Sequence, residues 1–211
     1  MIGGAIDNIA QASNQVFVLR GDSWAKLPSL NHARAAPAAA TVGDRIVVTG
    51  GQNNKKIVPQ TEVFDGTSWK QAADEPTPRE HSAAVSDGSY FYVLGGRFLS
   101  SDKNSAAFNR FDPESEKWTS LPDMPNPHGS YGATFIHGRI VAVGGEEPTQ
   151  VIATADMYDI TDNKWITLTP MPTPRHAEVV AAIGNTVYCI DGANRPTHEG
   201  AVSTVEALDF S

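Results

Sequence analysis

The sequence is poor in most of the features that announce a catalyst, a membrane protein or a nucleic-acid binder. It has one cysteine, Cys189, so no internal disulfide can form and no cysteine-based metal centre can be assembled. No apolar run approaches the roughly 18 residues of a membrane-spanning helix, and mean hydropathy is -0.28. Positive charge is scarce: 16 Lys and Arg face 24 Asp and Glu, for a formal charge of -8. That balance excludes a basic face for nucleic acid. No basic segment followed by an apolar stretch opens the sequence, and it holds no Asn-x-Ser/Thr sequon. H-E-x-x-H, G-x-G-x-x-G, the P-loop and G-x-Ser-x-G are all missing, so no cofactor and no resident metal is expected. The six histidines (His32, His81, His128, His137, His176 and His198) have no ligand spacing. Asp159, Thr161 and Asn163 lack the glycine and terminal glutamate of a calcium loop, and turn chemistry accounts for them.

What the sequence does have is a period. Gly-Gly recurs at Gly3-Gly4, Gly50-Gly51, Gly95-Gly96 and Gly144-Gly145, then as Asp191-Gly192, in steps of 47, 45, 49 and 47 residues. A fixed step of this size marks a repeat architecture. Each pair closes a β-branched or aromatic run, as in Arg45–Thr49 or Tyr90–Leu94, with the composition of a strand buried on both faces. Ahead of each run lie small residues such as Ala38-Ala39-Ala40 and Ser82-Ala83-Ala84, suited to a crowded inner strand. Short turns, among them Gly43-Asp44 and Asp87-Gly88, join the two. A third strand ends at Asp65, Asp112, Asp159 and Asp209, and a fourth opens on Trp24, Trp69, Trp118 and Trp165. Prolines then end the outer strand, as at Pro122, Pro125 and Pro170.

These landmarks in register resemble the kelch repeat over essentially the whole sequence. The resemblance implies an all-β fold, a β-propeller of four-stranded antiparallel blades. About 4.5 repeats are present: a partial blade over 1–30, complete blades over 31–75, 76–124 and 125–171, and a blade over 172–211 lacking its last strand. Two positions depart from the pattern: Asp191 replaces a glycine, and Arg20 stands where the other repeats carry Asp. Kelch rings close with about six blades, so the sequence is expected to be a fragment of a larger ring, with self-association through open blade edges as the alternative.

In a sheet of order one-two-three-four, the loops between strands two and three emerge at the same end as the links between blades. These loops run to about nine or ten residues against the roughly 2–5 a hairpin needs, and they mark the working face. With the links they hold eight basic residues, Arg34, Lys55, Lys56, Arg79, Arg97, Lys103, Arg175 and Arg195, against six acids, Asp7, Glu80, Asp102, Glu146, Glu147 and Glu199. This count suggests a mildly cationic face for an acidic or carboxylate-bearing protein or peptide. Arg34, Arg79, His128 and Arg175 each stand 16 residues before the first position of their pair. In ligand-binding kelch propellers arginines at this position and polar residues just after Gly-Gly contact the partner. The resemblance therefore nominates Arg34, Arg79, His128 and Arg175, with Gln52, Asn53, Arg97, Glu146 and Asn194. The competing expectation is that arginine here braces the blade through backbone carbonyls. A non-catalytic binding scaffold is expected. The alternatives are a kelch-type sugar enzyme such as a sialic acid epimerase, using Arg79, Glu80, Arg175 and His176, or the sensor part of a larger receptor or kinase.

Overall fold

The computed structural model describes residues 1–6, 11–197 and 199–211, so Asp7 and His198 lie outside the described residues. Every regular element among the described residues is a strand. A first hairpin, β1 (Val16–Arg20) with β2 (Ser23–Leu27), is extended by a bridge from Ile2 to Val16. The next blade holds β3 (Ala38–Val42), β4 (Arg45–Thr49), β7 (Glu62–Phe64) and β8 (Trp69–Gln71). Between β4 and β7 a small hairpin, β5 (Gln52–Asn53) with β6 (Lys56–Ile57), folds the long loop onto itself. Two more complete blades follow. The first is β9 (Ala83–Ser86), β10 (Phe91–Leu94), β11 (Phe108–Asp112) and β12 (Lys117–Ser120). The second is β13 (Gly132–Ile136), β14 (Arg139–Val143), β15 (Ala155–Asp159) and β16 (Lys164–Thr167). The last sheet has three strands, β17 (Val179–Ile183), β18 (Thr186–Ile190) and β19 (Val205–Asp209). Each sheet is an antiparallel meander in chain order, the blade of a β-propeller.

Strand alternation sends side chains to both faces of each sheet, and both faces are used. Val47, Val63 and Val42 meet Phe91, Val93 and Phe111 of the next blade. Tyr92, Leu94 and Phe108 on the far face meet Ile140, Ala142 and Tyr158. Val141, Val143 and Met157 then meet Val187 and Cys189. The core is thus a series of interlayers, and the small residues of β3, β9, β13 and β17 are where neighbouring blades converge.

The Gly-Gly pair has a mechanical cause. Gly50 sits at φ +64°, and a Cβ there would meet the Arg79 carbonyl of the next blade at 2.3 Å. The Gly51 N–H donates to that same carbonyl at 2.9 Å. Gly96 to His128 and Gly145 to Arg175 repeat the bond at 2.7 and 2.9 Å. A side chain in the first position would force the blades apart. Asp191 keeps the left-handed φ of +56°, and among the described residues no further blade stands against it.

Candidate functional site at the mouth of the blades

One register of each repeat builds the site, and the way a side chain faces decides its job. Arg34, Arg79, His128 and Arg175 have fully buried side chains. Arg34 donates to the Gly50 carbonyl at 2.9 Å and to Glu62 at 2.8 Å. Arg79 donates to the Gly95 carbonyl, to the Ala107 carbonyl at 2.8 Å and to Glu75 at 2.7 Å. Arg175 reaches the Cys189 carbonyl at 3.0 Å and Glu206 at 2.9 Å. His128 stands in the same place, its Nδ1 at 2.5 Å from the Gly144 carbonyl and its Nε2 at 3.2 Å from Asp156. The ring thus takes the arginine's place, one nitrogen facing each acceptor. The four side chains therefore turn into their own blades and tie the second strand to the third. Burial pulls Arg34 and Arg79 below the usual guanidinium range, with Glu62 and Glu75 respectively opposing it.

The next residue along points the other way, because successive strand residues face opposite sides. Glu80 and His176 follow Arg79 and Arg175 and meet the residues just after Gly-Gly in short bridges, Glu80 with Arg97 and His176 with Ala193. A continuous polar belt results. Gln52 Nε2 donates to Glu80 at 3.2 Å. Arg97 donates from Nε to Glu80 at 2.9 Å and from Nη1 to Glu146 at 2.5 Å. The other Glu146 oxygen accepts the Thr197 backbone N–H at 3.0 Å, with His176 Nδ1 at 3.6 Å. The belt crosses four successive blades. His81 Nδ1 meets Glu80 and its Nε2 lies 3.3 Å from Arg97 Nη2. With both partners satisfied, Nδ1 carries the proton and Nε2 accepts. Burial acts to raise the Glu80 carboxyl, but His81 and Arg97 outweigh it and hold it below the usual range. Glu146 behaves alike: burial is outweighed by the Thr197 N–H, Arg97 and His176.

A cleft of about 400 Å³ opens above the belt, lined by His81, Arg97, Ser130, Glu146, His176 and Thr197, among others. Its wall is a backbone ring. Ala36, His81, Ser130 and Ala177 occupy equivalent positions at φ +49°, +53°, +57° and +54°. His81 N–H donates to Ala36 at 3.1 Å, Ser130 to His81 at 3.1 Å and Ala177 to Ser130 at 2.8 Å. Non-glycine residues held there cost of order 1 kcal/mol each, which these blade-to-blade bonds offset. Asn53 lies apart, in a second cleft of about 410 Å³ with His32 and Lys56. Asn194 is exposed on the last long loop, its N–H bonded to the Gly200 carbonyl at 2.9 Å. Sequence reasoning placed Arg97, Glu146 and Gln52 at this mouth, counted Glu80 among its acids, cast Glu80 and His176 in the enzymatic alternative, and passed over Ser130 and Thr197. Nothing in their residue types flags the left-handed ring.

The charge count also changes in three dimensions. Arg34, Arg79 and Arg175 are neutralised by Glu62, Glu75 and Glu206, acids that the loop count had left out, and Arg97 is shared by two carboxylates. Lys55, Lys56, Lys103 and Arg195 remain exposed at the loops. Among the described residues no group of three His, Cys, Asp or Glu side chains could hold a metal ion.

A family model described as the KLHDC2/KLHL20/DRC7 Kelch-repeats domain matches residues 1–192. The chain belongs to the kelch-repeat family. Kelch relatives include Kelch-like protein 40 of Mus musculus, 26% identical over 196 residues, and Beta-scruin of Limulus polyphemus, 27% identical over 208. The alignments take in 89% and 90% of this chain but only 31% and 22% of those two proteins. A solved structure, YjhT, superposes with a TM-score of 0.83 at 16% identity, over 99% of this chain and 80% of that one. That likeness establishes the propeller fold.

Proposed function

We propose that this kelch arc is a non-catalytic binding module that holds a segment of a partner protein in the cleft above the Gln52–Glu80–Arg97–Glu146–His176 belt. The observation that carries this reading is the belt itself: five polar side chains from four blades, held against one another, of which Arg97, Glu146 and His176 line an open cleft. A preorganised floor lowers the ordering cost of binding. Glu80 and Glu146 are each already engaged by Arg97 and held as carboxylates, unlike a general acid, whose pKa is raised towards neutrality. This favours recognition over the sugar-enzyme alternative. The buried Arg34, Arg79, His128 and Arg175 hold the floor rigid, while Asn53 and Asn194 extend the contact along the loops. Acidic groups on the partner would meet Lys55, Lys56, Lys103 and Arg195, which are exposed at the loops, while the floor contributes hydrogen bonds.

The test is a displayed peptide library screened against the immobilised 211-residue chain. Selected peptides should lose at least tenfold in affinity for Arg97→Ala and keep it for Lys117→Ala, which lies at the tight-turn end. Equal losses for both, or none for Arg97→Ala, would remove the mouth from consideration.

A further inference from the structure

Two repeats carry the same cleft with opposite chemistry. Each cleft lies between the link that enters a blade and the long loop of that blade. The bonds that close the loops fix the correspondence. Val58 N–H donates to the Gly51 carbonyl at 2.9 Å and Ile152 N–H to the Gly145 carbonyl at 2.8 Å. The separation is seven residues in both, so Asn53 stands where Glu147 stands and Lys56 where Gln150 stands. Counted back from Arg34 and His128, Asn31-His32-Ala33 takes the place of Pro125-Asn126-Pro127. The other two links repeat that Pro-x-Pro, as Pro76-Thr77-Pro78 and Pro172-Thr173-Pro174. The link into the β3–β8 blade has neither proline.

The two departures from the repeat, in the link and in the loop, meet at one place. In the β13–β16 blade the cleft is about 360 Å³ and is lined by Asp102, Pro127 and Glu147, so two carboxylates border it. In the β3–β8 blade it is about 410 Å³ and is lined by Ala33, Asn53 and Lys56, with Ile57 and Pro59 as an apolar side. Among the described residues no acid lines this second cleft, on a chain whose formal charge is -8. Glu62, behind the link, is already consumed. It is fully buried and accepts the Asn31 and His32 N–H groups at 2.6 and 3.1 Å and Arg34 at 2.8 Å, with His32 Nδ1 at 3.4 Å. Ala33 supplies a backbone N–H where Pro78, Pro127 and Pro174 have none. That N–H has no acceptor among the described residues.

We propose that this cleft binds a small phosphate monoester, its oxyanion held by the Lys56 ammonium, the Ala33 N–H and the Asn53 carboxamide, its carbon skeleton laid on Ile57 and Pro59. The volume falls within the roughly 300–1,000 Å³ of small-molecule sites, and a few convergent polar groups beside an apolar wall are their usual lining. No arginine lines the cleft among the described residues, so the fork that grips a planar carboxylate is missing. An ammonium acts as a point charge and backbone N–H groups are common phosphate partners, which suits a tetrahedral anion. The site stands apart from the mouth, although Asn53 and Lys56 also border the loops along which a partner would lie.

The probe is glycerol 3-phosphate, titrated into the isotope-labelled 211-residue protein and followed by backbone amide NMR shifts. Glycerol serves as its uncharged counterpart and acetate as a planar anion. Saturable shifts are expected at Ala33, Asn53 and Lys56, with affinity at least tenfold above that for glycerol or acetate. Three variants copy the acidic cleft residue by residue: Ala33→Pro, Asn53→Glu and Lys56→Gln. Asn53→Glu should abolish binding by setting a carboxylate against the phosphate. Ala33→Pro and Lys56→Gln should each weaken it about tenfold, the loss of one charge-assisted hydrogen bond. Should Ala33→Pro disturb the link, the two hairpin variants still decide. Binding that survives Asn53→Glu, or equal affinity for glycerol or acetate, would overturn the proposal. So would shifts gathered at Arg97 and Thr197, which would place the phosphate at the mouth, or a dissociation constant weaker than about 10 mM.

Discussion

Arg79 and Glu80 are adjacent in sequence, yet they belong to different machines. Arg79 has no exposed side-chain surface and binds its own blade's carbonyls and Glu75. Glu80 faces the mouth and joins Gln52, His81 and Arg97 in the belt. Arg175 and His176 repeat the division. The lesson is that register around a repeat ring locates a site to within one residue, and strand alternation decides whether a side chain supports that site or presents it.

The two layers should fail differently. The largest effect is expected from the supporting layer: Arg79→Ala leaves Glu75 buried without its cation, and should cost about 3–5 kcal/mol, read as a lowered urea midpoint. Next comes a pH effect of opposite sign in the two layers. Glu178, three residues beyond Arg175, is buried between blades, takes the Gly132 N–H at 3.1 Å on one oxygen and has no partner for the other. Burial raises its carboxyl from 4.5 to about 7. Between those values the folded chain holds a proton that the unfolded chain releases, so this contribution is present below pH 4.5 and lost as pH rises towards 7, up to about 3 kcal/mol in all. Burial raises Glu75 to about 7 as well, so Glu178→Gln should reduce, not abolish, the slope in denaturation measured from pH 4.5 to 7.5. Glu80 and Glu146 are shifted downward, so their contribution is present above the ordinary carboxylate range and lost as pH falls below it. Smaller still is Arg97→Ala. Its carboxylate partners keep His81, Gln52, Thr197 and the water of an open cleft, and a stability loss of about 1–2 kcal/mol is expected. A loss as large as that of Arg79→Ala would erase the distinction between the layers.

Much of this was legible in the sequence, for physical reasons. Gly-Gly must be glycine because the next blade's carbonyl lies within 2.3–2.7 Å of where a first-position Cβ would stand at Gly50, Gly95 and Gly144. Tryptophan recurs because each interface needs a large ring with a donor. Such requirements repeat, and repetition is visible. The pairing of the buried cations was written there too and was not used: Glu62, Asn109, Asp156 and Glu206 each stand three residues before the Asp of their third strand and meet Arg34, Arg79, His128 and Arg175, and only Glu75, from a link, falls outside that register. Counting loop charges without these partners made the mouth look more cationic than it is. The left-handed ring at Ala36, His81, Ser130 and Ala177 was hidden, since tertiary bonds impose it on residues with no preference for that conformation.

The most direct test fills the mouth without touching an ion pair. Ser101 lines the cleft and takes no part in the belt. Ser101→Trp should leave the urea midpoint within about 0.5 kcal/mol of the parent while weakening a library-selected peptide at least tenfold. Undiminished binding by Ser101→Trp, with the fold intact, would contradict the assignment of recognition to this cleft.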